Sequence, residues 1–347
     1  MPQLLKRCIK IITAACLLFL YQAPSASAQI MNNITPRIRV IVDNDFSGDP
    51  DGLFQLTHIL LSPSVEVRGI IGSHLKVGDG FDNSKTQAEN AAKKAKELLM
   101  MIRPGSTIPV YHGSNTGMLN DSIPVKSEAV NFIIKESLRS DTKLPLYILC
   151  GAGLTEIASA LLTDPSIASK ATLIWIGGPE YPDLALPPPG YSNPEYNLNI
   201  DIAAGKVVFN KSTINIWQIP RDAYRQALLP YSELLTKVKP NGKLGSYLAG
   251  ELESLMRRLL NYKLNIGETY VLGDSPLVLL TALQSSFEPD PSSSDYKIKL
   301  SPLINNQGAY EVNHRGRSIR VYHRLDIQMM FNDFFAKLTL FNSPGPK

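Results

Sequence analysis

Ile38-Arg-Val-Ile-Val42 runs directly into Asp43-Asn-Asp-Phe-Ser-Gly-Asp-Pro-Asp51. The first five residues carry the β-branched bias of a buried strand. The next nine hold four carboxylates, two glycine- or proline-bearing turns and the start of a second pattern. From Leu53 to Leu61 the apolar residues take a helical period, closed by Ser62-Pro63. A strand that ends in acids and opens a helix is one half of a parallel β-α-β unit. The alternation repeats downstream. Strands are expected at Val65–Ile71, Leu146–Cys150, Ala171–Ile176 and Ile214–Ile219, with a short extended piece at Ile108–Tyr111. Helices are expected at Thr86–Ile102, Ala129–Leu138, Leu154–Leu162, Ile202–Phe209, Pro276–Gln284 and Ile327–Leu338. The predicted fold is α/β: a mostly parallel open sheet with helices on both faces, Rossmann-like. In such sheets ligands gather at the carboxyl ends of the strands, where this sequence puts its acids and glycines.

Composition narrows the function classes. The chain has 347 residues, 44% hydrophobic and 19% charged, with a formal charge of +4. That apolar content builds a large core and excludes disorder as the main state. Three of the basic residues, Lys6, Arg7 and Lys10, lie within residues 1–28, which hold no acid, so the rest of the chain is close to neutral. No basic stripe exists to neutralise phosphates, which argues against a nucleic-acid partner. Lys6, Arg7 and Lys10, the apolar run Ile11–Leu20 and the small residues Ala26-Ser27-Ala28 read as a secretory signal cleaved after Ala28. Lipoprotein processing at Cys16 is the weaker reading, because much of the apolar run follows that cysteine. The expected product is an exported protein, periplasmic or secreted, with no stable membrane insertion. Residues 29–347 form a single domain in this reading. Cys150 is then the one remaining cysteine, in an apolar run that suits a buried structural role. The Asp183–Pro194 stretch, with Pro187-Pro-Pro189, is a loop that suits a lid, and Glu288–Asp295 is another loop.

The acids after the first strand call for chemistry. Like charges brought together need a positive partner, and a hard cation takes oxygen ligands. Asp49 suits the helix N-cap with Pro50 behind it, and Asp51 suits the helix dipole. Those roles leave Asp43 and Asp45 unexplained. An EF-hand loop is excluded, because its twelfth position is Phe54 and a strand precedes it. A haloacid-dehalogenase-type nucleophile strand fits poorly, with Ser47 at a key position and no downstream acidic pair.

Five segments in order resemble the inosine–uridine-type nucleoside hydrolases. The aspartate cluster is similar to that family's Asp-x-Asp-Pro-Gly-x-Asp-Asp motif. Gly151-Ala-Gly-Leu-Thr-Glu-Ile-Ala158 with Asp164-Pro165, Ile176-Gly-Gly178, Glu195-Tyr-Asn-Leu-Asn-Ile-Asp-Ile-Ala-Ala204 and Asp274-Ser-Pro-Leu-Val-Leu-Leu280 resemble its later motifs. The resemblance implies hydrolysis of the N-glycosidic bond of a ribonucleoside to ribose and base. It implies a Ca2+ site made by Asp45, Asp51, the Gly151 carbonyl and Asp274, holding the attacking water. Asp45 would orient and deprotonate that water, as the catalytic residue. Asp49, Asn193, Glu195 and Asn197 would bind substrate. His74, at the end of the second strand, is a further candidate for substrate contact, and Asp43 would brace the loop from behind. The partner is a small nucleoside or riboside, and a homo-oligomer is compatible with the family.

Three departures bear on this. Pro50 separates Asp49 from Asp51, where the family has adjacent aspartates. Gly273 stands where the family has a His before the late Asp, which leaves the leaving-group acid unassigned. Pro189 stands in place of a family Asn, with Asn193 as the nearby substitute. The rival readings are a riboside- or sugar-binding protein with little turnover, and a hydrolase of another glycoside. Tyr181, Tyr191 and Tyr196 lie near the lid and are candidates to stack on a base. His58 and the tryptophans read as structural.

Overall fold

The computed structural model describes residues 33–191, 194–285 and 294–343. The expected signal segment 1–28 lies outside them, as do Asn193 and most of the 288–295 loop. Strand β1 (Ile38–Asn44) leads into helix α1 (Asp51–Leu60), then β2 (Val65–Gly72), α2 (Gln87–Ile102), β3 (Val110–His112), α3 (Glu128–Ser137), β4 (Leu146–Cys150), α4 (Thr155–Thr163) and β5 (Ala171–Ile176). Short helices α5 (Tyr196–Ile200) and α6 (Ile202–Lys206) precede β6 (Asn215–Ile219). After it come α7 (Arg221–Tyr224), a β7–β8 pair (Leu228–Pro230 and Thr269–Val271) flanking the long helix α8 (Gly242–Asn261), and α9 (Pro276–Leu279). The chain closes with β9 (Asp295–Leu300), the small pair β10–β11 (Leu303–Ile304, Tyr310–Glu311), β12 (Ser318–Arg324) and α10 (Ile327–Asn342).

Eight strands form the central sheet in the order β3-β2-β1-β4-β5-β6-β12-β9. Every neighbouring pair is parallel except β12–β9, an antiparallel edge. The strand order turns at β1: β2 lies on one side of it and β4 on the other. The chain therefore leaves β1 and β4 in diverging directions, and their carboxyl ends open the crevice of a topological switch point.

Strand alternation divides the core. Val40 and Val42 point to one face, with α1, α2, α8, α9 and α10. Ile41 points to the other, with α3 and α4. Both core clusters are built from side chains that are nearly all fully buried. Burial of this extent supplies the main driving force for folding, at about 25 cal/mol per Å2 of apolar surface. Cys150 is buried in the second cluster as an unpaired thiol. His58 is buried in α1, its Nε2 2.7 Å from Asp333 Oδ2.

Some elements differ from expectation. The Pro276–Gln284 segment is helical only to Leu279, since turns take over there. Ile202–Phe209 breaks at Val207 into a wider π-type turn. Helix α8 has no counterpart among the expected elements, although Leu244, Leu248, Leu252 and Leu255 form its buried stripe. Among the described residues no helix is long and apolar enough to cross a membrane.

Candidate active site

The crevice at the switch point deepens into a cavity of about 610 Å3. Its floor is made by Asp45, Asp49, Asp51, Gly151, Asn197 and Asp274. These come from the β1 exit, the first turn of α1, the β4 exit, α5 and the turn before α9, so tertiary structure brings together acids more than two hundred residues apart. Its upper wall holds Phe81, Tyr191, Tyr196, Tyr224, Arg225 and Tyr270, with Leu228, Leu259, Ile266 and Val271 between them.

The carboxylates are held by amides and hydroxyls. Asp49 Oδ1 accepts from the Asp51 amide at 3.2 Å, and its Oδ2 accepts from Tyr270 Oη at 2.7 Å. The helix starts at Asp51, one residue beyond the Pro50 start expected, so the N-cap is Pro50 with no side-chain cap, and Asp49 lies outside it, accepting only from the Asp51 amide. Asp51 Oδ1 accepts from Gly52 N at 2.8 Å, and Oδ2 from Asp274 N at 3.2 Å. No Lys or Arg makes an ion pair with any of the four aspartates among the described residues. Burial, reinforced by the neighbouring carboxylates, holds Asp45 and Asp51 well above the usual carboxylate range. Burial likewise raises Asp274 to about 7 and Asp49 to about 6.

Asn44 organises this floor. It is fully buried. Its Nδ2 donates to Asp274 Oδ2 at 2.9 Å, and its Oδ1 accepts from the Asp45 amide at 2.9 Å. The amide fits because two glycines face it. A Cβ on Gly52 would stand 3.0 Å from Asn44 Nδ2, and one on Gly151 would stand 2.7 Å from its Cγ and Oδ1. Asn44 thus occupies the space that a side chain at position 151 would need.

Asp43 points the other way, because successive strand residues alternate. It accepts from Ser73 Oγ and from Cys150 Sγ, so it braces the β2 exit from the face opposite the floor. Burial raises it to about 7, and raises Glu156, which sits near it, to about 8. His74 is also on this side. Its Nδ1 lies 2.8 Å from the Leu75 carbonyl and its Nε2 3.0 Å from Thr155 Oγ1. With both ring nitrogens engaged, His74 is not among the residues lining the cavity.

Asn197 stands on the floor and donates through Nδ2 to the carbonyls of Gly151 at 2.9 Å and Ile176 at 2.8 Å, which turns its Oδ1 outward as an acceptor. Glu195 is fully buried beneath it. Its Oε2 accepts from Gly178 N at 2.7 Å and Leu198 N at 3.1 Å, and its Oε1 from Tyr224 Oη at 2.7 Å. Tyr191 and Tyr196 line the cavity, whereas Tyr181 is buried and donates to Gln218 Oε1 at 2.7 Å. Asn193 lies outside the described residues. Sequence reasoning did not single out Asn44, Tyr224, Arg225 or Tyr270. Asn44 was within the motif itself, but nothing local to the other three marks them.

The donor set fits a hard divalent cation. It consists of carboxylate and carbonyl oxygens, buried at Asp45 and Asp274 and half-buried at Asp51, with no ion pair to Lys or Arg among the described residues, which is the environment such an ion satisfies. The described residues as placed contain no group of three or more His, Cys, Asp or Glu at metal-binding spacing.

Residues 40–331 match the family model of the inosine-uridine preferring nucleoside hydrolases. The chain belongs to that family. It is therefore a glycosidase that hydrolyses N-glycosyl compounds, with a small nucleoside as substrate. Solved structures agree on the fold. A purine-preferring ribonucleoside hydrolase from Gardnerella vaginalis is 21% identical, with a TM-score of 0.66 over 88% of this chain and 99% of that one. A plant nucleoside hydrolase is 18% identical, with a TM-score of 0.65 over 88% and 99%. The inosine-uridine preferring nucleoside hydrolase of Bacillus anthracis is 19% identical, with a TM-score of 0.62 over 87% and 99%. No curated protein matches the sequence. In this nucleoside hydrolase the ring of Tyr224 packs beside Gly273, with its Cδ2 3.3 Å from where a Cβ would stand. A larger side chain at 273 would compete with that ring.

Proposed function

We propose that this nucleoside hydrolase is a calcium-dependent ribonucleoside hydrolase exported from the cytoplasm, with residues 1–28 as its signal and residues 29–347 as one domain. The observation that carries the calcium reading is the floor of converging aspartates with no ion pair to Lys or Arg among the described residues, beside Asn197. Asp45, Asp51, Asp274 and the Gly151 carbonyl would hold the ion. Such an ion would supply a positive charge that makes a nearby water more acidic and favours binding of ribose hydroxyls. Asp45 would accept the proton of the attacking water. Asp49 and Asn197 accept hydrogen bonds from the ribose, and hydroxyls held this way orient C1′ toward the water. Glu195, fully buried outside the lining with both oxygens taken, fixes Tyr224 in the wall instead. The sugar becomes oxocarbenium-like as the bond to the base breaks, and the carboxylate-rich floor stabilises that positive charge. His74 has no part in this scheme, because its nitrogens are engaged behind the floor.

The second reading, a riboside-binding protein with little turnover, is favoured by one observation: the described cavity lining contains no histidine. Ribose release from purine and pyrimidine nucleosides by residues 29–347, with calcium and with chelator, separates the two. Calcium-dependent release is expected, together with loss of both bound calcium and turnover in Asp45→Asn and Asp274→Ala. If both variants keep wild-type calcium content and turnover, the site assignment falls. Stoichiometric calcium and ribose binding without release from any nucleoside would establish the binding reading instead.

A further inference from the structure

The hydrolase reading places ribose on the acidic floor, and the role of the upper wall rests on that reading. The base then lies against this wall, beside Tyr191, Tyr224 and Arg225. Breaking the C1′–N bond leaves its electron pair on the base. That charge must be met by a proton donor or by a fixed positive charge. The described lining has no His or Lys. Three of its four tyrosines are engaged: Tyr196 donates its proton to Asp79 Oδ2 at 2.8 Å, Tyr224 to Glu195 Oε1 and Tyr270 to Asp49 Oδ2, both at 2.7 Å. Burial beside these carboxylates pushes each of the three phenols upward, away from useful acidity. The fourth, Tyr191, presents its ring face to the guanidinium carbons of Arg221 and Arg225, each 5.1 Å from the centroid.

Arg225 remains. Its guanidinium carbon lies 5.1 Å from the centroid of the Tyr191 ring. The adjacent cation, Arg221, is neutralised by a buried two-point pair with Glu180, at 2.6 Å from Nε and 2.5 Å from Nη2. Arg225 has no comparable partner: among the described residues no hydrogen bond engages its guanidinium. A guanidinium stays protonated at any physiological pH, so it cannot serve as an acid, but it presents a planar set of donors to carbonyl oxygens.

We infer that Arg225 stabilises the departing base as an anion, meeting its charge with a fixed cation in place of a proton donor. The bonding pair of C1′–N stays on the base nitrogen, the water oxygen bonds C1′, and the water proton passes to Asp45. The base leaves with one negative charge and takes its proton from solvent after release. A base that already carries a positive charge leaves neutral and gains nothing from Arg225.

The test compares kcat on inosine with kcat on 7-methylguanosine, whose base is cationic, in the wild type, Arg225→Gln and Arg225→Lys. Removing one donor to a developing anion costs about 100-fold in kcat. The ratio of the two rates is expected to fall about 100-fold in R225Q and to be largely restored in R225K. Because it is a ratio within one protein sample, partial misfolding does not mimic the effect. An unchanged ratio in R225Q, whatever the absolute rates, overturns the inference and leaves Arg225 a packing residue. A wild type that releases ribose from neither nucleoside overturns the hydrolase reading, and this inference falls with it.

Discussion

Substituting Gly151 by Ala tests whether Asn44 is the keystone of the acidic floor. Gly151 does not have a left-handed backbone, so alanine is conformationally acceptable there and the effect is steric. The new methyl would overlap the Asn44 amide, 2.7 Å from its Cγ and Oδ1. Overpacking of a dense site costs about 1–3 kcal/mol. If the amide instead swings away, it loses its bond to Asp274 and leaves the Asp45 amide without a partner. A bond to a charged acceptor is worth about 1.5–3 kcal/mol and a neutral one about 1 kcal/mol. Asn44→Ala alone should therefore cost about 3–4 kcal/mol, and Gly151→Ala about 2–3 kcal/mol. The two are not independent. With Asn44 truncated the methyl at 151 has room, so the double variant should be little worse than Asn44→Ala, a coupling of about 2 kcal/mol. Urea unfolding of the four proteins in chelator measures the cycle. Additive losses, within about 0.5 kcal/mol, would show that Asn44 and Gly151 do not share this space and would refute the reasoning.

Two further outcomes depend on the same floor. Burial raises Asp49 to about 6 and Asp274 to about 7, so the folded chain holds these protons more tightly than the unfolded chain does. Without metal, that contribution to stability is fully present below the ordinary aspartate value of 3.8 and is lost as pH rises through 6 and 7. A calcium ion held at the proposed site would displace the same protons, so the rise in Tm it produces should grow from pH 5 to pH 8; a calcium-induced shift independent of pH would contradict this. Gly273→His sets a side chain against Tyr224, whose displacement breaks its 2.7 Å bond to Glu195. The same Cβ would stand 3.3 Å from Asp51 Oδ2. A lower Tm and a raised KM are expected, whereas an unchanged Tm and KM would mean that neither Tyr224 nor Asp51 is displaced.

Much of the fold was written locally. The β-branched run before Asp43, the helical period after Leu53 and the later strand–helix alternation each depend on residues close in sequence, so they fixed a parallel sheet with helices on both faces. The late antiparallel strand β9 and helix α8 did not stand out in the same way: α8 carries a readable leucine stripe, while the direction of β9 depends on its pairing with β12. For the site, the ordered motifs brought Asp45, Asp49, Asp51, Gly151, Asn197 and Asp274 into view, and the structure gathers all six on one floor.

The sequence by itself determined which residue types stand at the ends of β1 and β4, and with them the chemistry available at the switch point. Only the tertiary structure decided which face each residue serves. Asn44, which no motif marked, enters the floor because its partner Asp274 arrives from 230 residues away. The folding of the β2 exit engages both nitrogens of His74 with Leu75 and Thr155, and Glu195 is occupied by two backbone amides and a tyrosine. The upper wall was only partly marked in the sequence, by Tyr191 and Tyr196: Arg225 and Tyr270 join them only because the segments after β5, β6 and α8 fold over the same crevice. A side chain's type is local, but its neighbours are set by long-range packing.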